Sequence, residues 1–226
     1  MLHEAVNLSL SLLVFASGIA CIRADMAGRR SAVYVFKPLT MLFVLSLALQ
    51  SSASTSSLYA WLIVAGLLFS LAGDVLLMLP SDRFAAGLAS FLVAHLFYIS
   101  AFAADAGFGS APLALLPFVL GCAALYPLLR PNLGRLEIPV LLYMLVISVM
   151  GWQAVARWLA VGQLGALLAC GGAVLFVISD AALALDRFHR RLPAAPLLKR
   201  STYFGGQWLI ALSIGVGEAL ADWIIR

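Results

Sequence analysis

Two aspartates stand in long apolar runs where charge is costly. Asp74 falls within Leu58–Leu79 and Asp180 within Leu164–Leu185. Holding an ionised side chain inside a bilayer costs roughly 2.5–3.5 kcal/mol on insertion scales, so such residues usually face the bundle interior and serve a use. Two carboxylates that share a poorly solvated cavity cannot both ionise cheaply. One keeps its proton and the other its charge, which is an arrangement for a general acid paired with a general base.

Other polar groups interrupt the same apolar background. Lys37 opens one run; His95 and Tyr98 lie three residues apart and so share a helix face; Tyr143 and Gln153 sit in another run; Tyr203 and Gln207 lie four apart in the last. By the topology reasoned below, Asp74, Asp180, Lys37, Tyr143, Tyr203 and Gln207 all fall in the cytoplasmic half, with His95 near mid-span. Scattered structural hydrogen bonds have no reason to prefer one leaflet, whereas a cavity opening toward the cytoplasm does. Each group also has a structural reading. The aspartates can be salt-bridged to Lys37 or Arg83, Lys37 can snorkel to the interface, His95 and Tyr98 can bridge helices, and Tyr143 and Tyr203 can belong to an interfacial aromatic belt. Glu218 and Asp222 read as boundary residues.

Other chemistries lack their motifs. The histidines, His3, His95 and His189, are far apart, with no HExxH pair, so no metal site is expected. There is no Gly-x-Ser-x-Gly elbow and no nucleotide-binding glycine loop, so no cofactor is expected. Three cysteines, Cys21, Cys122 and Cys170, all lie in apolar runs and read as small packing residues.

The elements that must position these groups follow from composition. The 226 residues are 64% hydrophobic and 11% charged, against about 25% charged in soluble domains. Runs of about 20 apolar residues span a bilayer. Eight are found: Ala5–Ile22, Ala32–Leu49, Leu58–Leu79, Phe84–Ala104, Pro112–Leu129, Ile138–Ala156, Leu164–Leu185 and Tyr203–Ile225. The first has Glu4 where a signal peptide would carry basic residues, and it is kept as a span. The expected fold is an all-α, polytopic membrane bundle of eight transmembrane helices, forming one integral membrane domain over residues 1–226. The loops are too short to fold alone.

Arg23, Arg29, Arg30, Lys37, Arg83, Arg130, Arg135, Arg187, Arg190, Arg191, Lys199 and Arg200 then fall on one side, and only Arg157 and Arg226 on the other. The basic side is cytoplasmic, so both termini are expected outside. The net charge of +4 is spent on loops beside anionic headgroups, and no nucleic-acid partner is expected. Gly73-Asp74 followed by Asp82-Arg83-Phe84 is echoed by Ser179-Asp180 followed by Asp186-Arg187-Phe188. A four-plus-four parallel duplication would give this, and so would shared boundary chemistry at two inner helix ends.

At these residues the chain resembles the YhhN family of lysoplasmalogenase-like membrane proteins. The matching pieces are Lys37-Pro38-Leu39-Thr40-Met41, Gly73-Asp74-Val75-Leu76-Leu77-Met78-Leu79, Phe84-x-x-Gly87-Leu88-x-Ser90-Phe91-x-x-Ala94-His95-x-x-Tyr98, Asp180 followed by Phe188, and Tyr203-x-x-x-Gln207. The resemblance implies an eight-span hydrolase of the bacterial inner membrane, acting on the vinyl-ether bond of lysoplasmalogens. The products would be a fatty aldehyde and a glycerophospho-ethanolamine or -choline. It also implies Asp74 and Asp180 as catalytic acid and base, with Lys37, His95, Tyr98, Tyr143, Tyr203 and Gln207 around a lysophospholipid or ether-lipid substrate that reaches the site from the surrounding membrane lipids. Buried aspartates with an internal duplication suit a small proton-coupled transporter or flippase of lipid-like molecules as well. An amidase of ceramide-like lipids is a third reading, and would require a metal. Nothing in the residues fixes an oligomeric state.

The charge bias makes a direct prediction. A reporter enzyme active only outside the cytoplasm should work when fused in the loop Gln50–Ser57 and be silent when fused in Arg130–Glu137; the reverse pattern would invert the orientation.

Overall fold

The computed structural model describes residues 2–55, 57–79, 83–191 and 193–215. Among these residues eight α-helices follow one another: α1 (Leu2–Met26), α2 (Arg30–Thr55), α3 (Leu58–Met78), α4 (Phe84–Ala106), α5 (Leu116–Leu129), α6 (Glu137–Val161), α7 (Leu164–Phe188) and α8 (Ala195–Leu212). Single 3-10 turns at Pro112–Leu115, Arg130–Asn132 and Gly134–Leu136 bracket α5. No strand occurs among the described residues. This suits a hydrocarbon environment, in which a helix satisfies its own backbone polar groups.

Turn chemistry sets the short connections. Ser57 caps α3 by accepting the Ala60 amide through its Oγ at 3.1 Å. Gly162 ends α6 in the left-handed region, φ 68°, where a Cβ would be strained. Pro38 lies inside α2. It cannot donate to the Tyr34 carbonyl, and transmembrane helices tolerate that loss where neighbours take up the freed groups.

Seven helices among the described residues are long and apolar enough to cross a membrane, α1 to α7, the fifth including its flanking 3-10 turns. With large apolar side chains exposed on them, such as Leu12, Leu68, Leu113 and Ile138, this is an integral membrane protein. The described part of α8 differs from the expected eighth span. It starts at Ala195, eight residues earlier than expected, and its first turns carry Lys199 and Arg200. Residues 216–226, with Glu218, Asp222 and Arg226, lie outside the described residues, as does Asp82 of the echoed fragment. The expected loop Arg157–Gln163 is also corrected. Helix α6 continues to Val161, and Arg157 is buried, because its guanidinium reaches across to Asp105 at the end of α4 and stacks over Tyr59.

Glycines let particular helices approach closely. A Cβ on Gly172 of α7 would sit 2.6 Å from the Gly206 carbonyl of α8, and one on Gly206 would sit 2.7 Å from the Gly172 carbonyl. These two helices therefore meet backbone to backbone, as small residues permit in membranes. A Cβ on Gly73 of α3 would meet the Phe91 ring of α4 at 2.7 Å. Helix α5 is the opposite case. It packs mainly on α6, and only Leu129 in it is buried.

Gly172→Ala should therefore lower stability by about 1–3 kcal/mol through overpacking. Gly121→Ala, whose Cβ would meet nothing within 4 Å, should leave it unchanged. Thermal unfolding in detergent measures both.

Candidate functional site

The expected polar residues gather into one buried region, in three linked groups. In the first, Lys37 of α2 places its Nζ 2.8 Å from Asp74 Oδ1 on α3. The Tyr203 hydroxyl of α8 donates to Asp74 Oδ2 at 2.7 Å. Asp74 is 1% exposed, so an ionised carboxylate there depends on these two donors.

In the second group, the Tyr143 hydroxyl of α6 donates to Asp180 Oδ2 of α7. His95 Nε2 of α4 lies 2.9 Å from the same hydroxyl and 3.9 Å from Asp180 Oδ2. The direction of the chain follows by counting protons. Tyr143 spends its one hydrogen on Asp180, so His95 must donate from Nε2. Its Nδ1, left as an acceptor, has no hydrogen-bond partner among the described residues. Unlike Asp74, Asp180 is only half-buried.

The third group joins the others. Tyr98 donates to Gln207 Oε1 at 2.8 Å, with Ser70 Oγ 3.4 Å from the Tyr98 hydroxyl. Gln207 is wholly buried, and its Nε2 has no partner among the described residues. The three groups are set against one another by rings. Phe176 lies edge-on to both His95, at 4.8 Å between centroids, and Tyr203, at 5.4 Å. Phe91 packs edge-on to Phe176 and Tyr203 at 6.0 Å.

A cavity of about 690 Å³ lies beside the second group, walled by the end of α3, the start of α4, and by α5, α6 and α7. Its lining is apolar apart from a few groups, chiefly Tyr143, Asp180, Cys122 and Ser148. Asp74, Lys37, His95, Tyr98, Tyr203 and Gln207 are not part of the lining. The two aspartates thus occupy one buried region, but only Asp180 opens on the cavity. On the flank between α5 and α7 the lining residues Gly121, Ala124 and Val174 are exposed, so the cavity faces the lipid. Among the described residues no three His, Cys, Asp or Glu side chains converge as a metal-binding group.

The rings of Phe91 and Phe176 space the polar groups; Phe176 went unnoticed in the sequence, and Phe91 appeared only as part of a family-like fragment, with no role. Apolar residues inside apolar runs give no signal. Ser70 lies in a stripe of small residues with Gly66 and Gly73, a pattern that signals close helix packing and hides a polar contact. A second polar cluster went unseen at the opposite end of the bundle. Arg157 Nη2 meets Asp105 at 2.7 Å, its guanidinium stacks 4.2 Å over Tyr59, and Tyr59 pairs with Ser213 at 2.5 Å. One turn before Arg157, Gln153 accepts from the Gly109 amide and donates to the Gly107 carbonyl.

Comparison with known proteins gives a consistent result. The family model described as the YhhN family matches residues 32–214. Lysoplasmalogenase TMEM86A of Bos taurus is 39% identical over 159 residues, 67% of this chain and 64% of that relative. Lysoplasmalogenase TMEM86B of Mus musculus is 35% identical over 81% of this chain and 74% of that protein. The membrane protein YhhN of Escherichia coli O157:H7 is 34% identical over 80% of this chain and 86% of its own length. The chain thus spans a little under two thirds of the bovine relative. No solved structure matches it significantly.

The Asp74 geometry carries a stability prediction. Lys37→Met leaves a buried carboxylate with one donor and should cost about 3–5 kcal/mol, while Lys37→Met with Asp74→Leu should recover most of that loss. Thermal or denaturant unfolding of the single and double variants gives the comparison. Equal losses in both would mean that the pair does not hold the bundle.

Proposed function

The chain belongs to the YhhN family, and from that membership we propose that it is a membrane-embedded hydrolase cleaving the vinyl-ether bond of lysoplasmalogen-type lipids. The observation that carries the reading is Asp180, hydrogen-bonded by the Tyr143–His95 chain and opening on an apolar, lipid-facing cavity. The relatives named lysoplasmalogenase support the substrate class.

A vinyl ether is protonated at its β-carbon, which leaves an oxocarbenium ion. Protonated Asp180 supplies that proton from Oδ1, because Oδ2 is occupied in accepting from Tyr143. Among the described residues no hydrogen bond engages Oδ1. The carboxylate left behind stabilises the cation beside it, held in place by Tyr143 and His95. A water molecule then attacks the oxocarbenium carbon and gives a proton back to Asp180. The hemiacetal collapses to a fatty aldehyde and the glycerophospho-alcohol, so one water is consumed and the acid is regenerated. The apolar lining keeps other water from the reactive bond.

The two aspartates then divide the work. Asp180 touches the substrate as acid and base. Asp74, fixed by Lys37 and Tyr203, acts from behind the wall. It holds Tyr203 against Phe176, and Phe176 against His95, so it positions the chain that orients Asp180.

Purified protein given a lysoplasmalogen should release fatty aldehyde. Asp180→Asn should lower kcat by about 10²-fold or more, the range of a lost general acid. Tyr143→Phe should lower kcat less, with KM little changed, since it removes only the orienting hydroxyl. Transport of intact lipid in proteoliposomes with no aldehyde formed would replace this reading with the carrier one.

A further inference from the structure

The cavity reaches both ways from Asp180. Toward the basic end its wall continues along α7 for eight residues, to Phe188, about 12 Å. Phe84 and Phe188 meet edge-on at 5.6 Å, and Arg187 stacks 3.9 Å over Phe84. Toward the other end the wall continues along α6 from Tyr143 to Val155. That is twelve residues, about 18 Å at 1.5 Å per residue.

Contacts between α5 and α6 fix the depth of each wall position. Cys122 Sγ lies 3.0 Å from Ser148 Oγ and 3.5 Å from the Met144 carbonyl, so Gly121 faces the cavity about 7 Å beyond Tyr143. The Phe118 ring packs on Gly151, where a Cβ would collide with it. Ala114, one turn before Phe118, then lies level with Val155 at the far end. A Cβ on Gly121 meets nothing within 4 Å, so that position borders open space.

We propose that this arm is a ruler for the hydrocarbon chain of the substrate: the chain runs from Asp180 along α6 toward Ala114 and Val155, with the headgroup at the Phe84–Phe188 end. The proposal rests on the lipid-hydrolase reading above. Two features orient the amphiphile. The long arm offers the chain an apolar lining over about 18 Å. The short arm ends beside Arg187, where a phosphate finds positive charge. Chain selectivity is then set by how far the arm stays open, and the absent side chain at Gly151 keeps Phe118 flat against α6 and out of the way.

The test places two plugs at different depths. Gly121→Leu fills the arm near Asp180, and Ala114→Leu fills it near the end. Aldehyde release is measured for lysoplasmalogens of graded alkenyl length. The ratio of long-chain to short-chain kcat/KM should fall about tenfold or more in Gly121→Leu, and only for the longest chains in Ala114→Leu. Binding of saturated lysophosphatidylcholines of graded length is measured on the same proteins. It needs no cleavage, so it reads the ruler even if no aldehyde forms; the plateau of affinity with chain length should move shorter in the same order. Thermal unfolding confirms that both variants fold. An unchanged length profile in both variants, or an equal loss at every length, would overturn the proposal. Absence of aldehyde from the parent protein with a shifted binding plateau would overturn the hydrolase reading and keep the ruler.

Discussion

An ion pair shut away from water holds only if the donors around it are fixed, and around Asp74 they come from distant parts of the chain. Lys37 arrives on α2, Asp74 on α3 and Tyr203 on α8. Releasing Lys37 or Asp74 would leave a charge in a medium that cannot solvate it, and releasing Tyr203 would strip one carboxylate oxygen of its donor, so the three helices are bound into one arrangement. The consequence spreads outward through rings. Tyr203 has a fixed place, so Phe176 has one too, and with it the edge of His95. The hydrogen-bonded chain from His95 to Asp180 inherits its geometry from a pair it never touches.

The bundle has two polar layers separated by an apolar one. The first holds the aspartates, the second Arg157, Asp105, Tyr59 and Ser213. Between them lie Ile63, Leu67, Phe102, Met150 and Ile210, all fully buried. Each polar layer ties together helices remote in sequence, since Arg157 on α6 reaches Asp105 at the end of α4 and Tyr59 on α3. In hydrocarbon, where apolar contact between helices competes with equally apolar lipid, such polar ties and close glycine contacts decide which helices are neighbours.

What the sequence made legible follows the same physics. A charge inside an apolar run stands out against a uniform background, so Lys37, Asp74, His95, Tyr143, Asp180, Tyr203 and Gln207 could all be singled out before any helix was placed. Their partners could not be read. Nothing in the spacing says that Lys37 belongs to Asp74 and Tyr143 to Asp180, or that the large cavity reaches only the second aspartate. Helix ends were misjudged where charge and helix overlap. Lys199 and Arg200 read as loop but sit in the first turns of α8, each paired, with Asp186 and Asp25. Arg157 read as a surface residue because its partners lie on other helices. Phe176 carried no mark at all, and Phe91 only a place in a family-like fragment.

The contact of Gly172 with Gly206 bears on how the molecule can breathe. Where two helices touch through their main chains, no side chain lies between them to flex, and α7 and α8 move as one body carrying both Asp180 and Tyr203. Helix α5 has no comparable weld and is washed by lipid over most of its girth. Among the walls of the chamber, α5 is the least buried, so it is the wall whose displacement breaks the fewest contacts. On the proposed reading, the lipid-facing flank of α5 is then the doorway for the substrate in the plane of the bilayer.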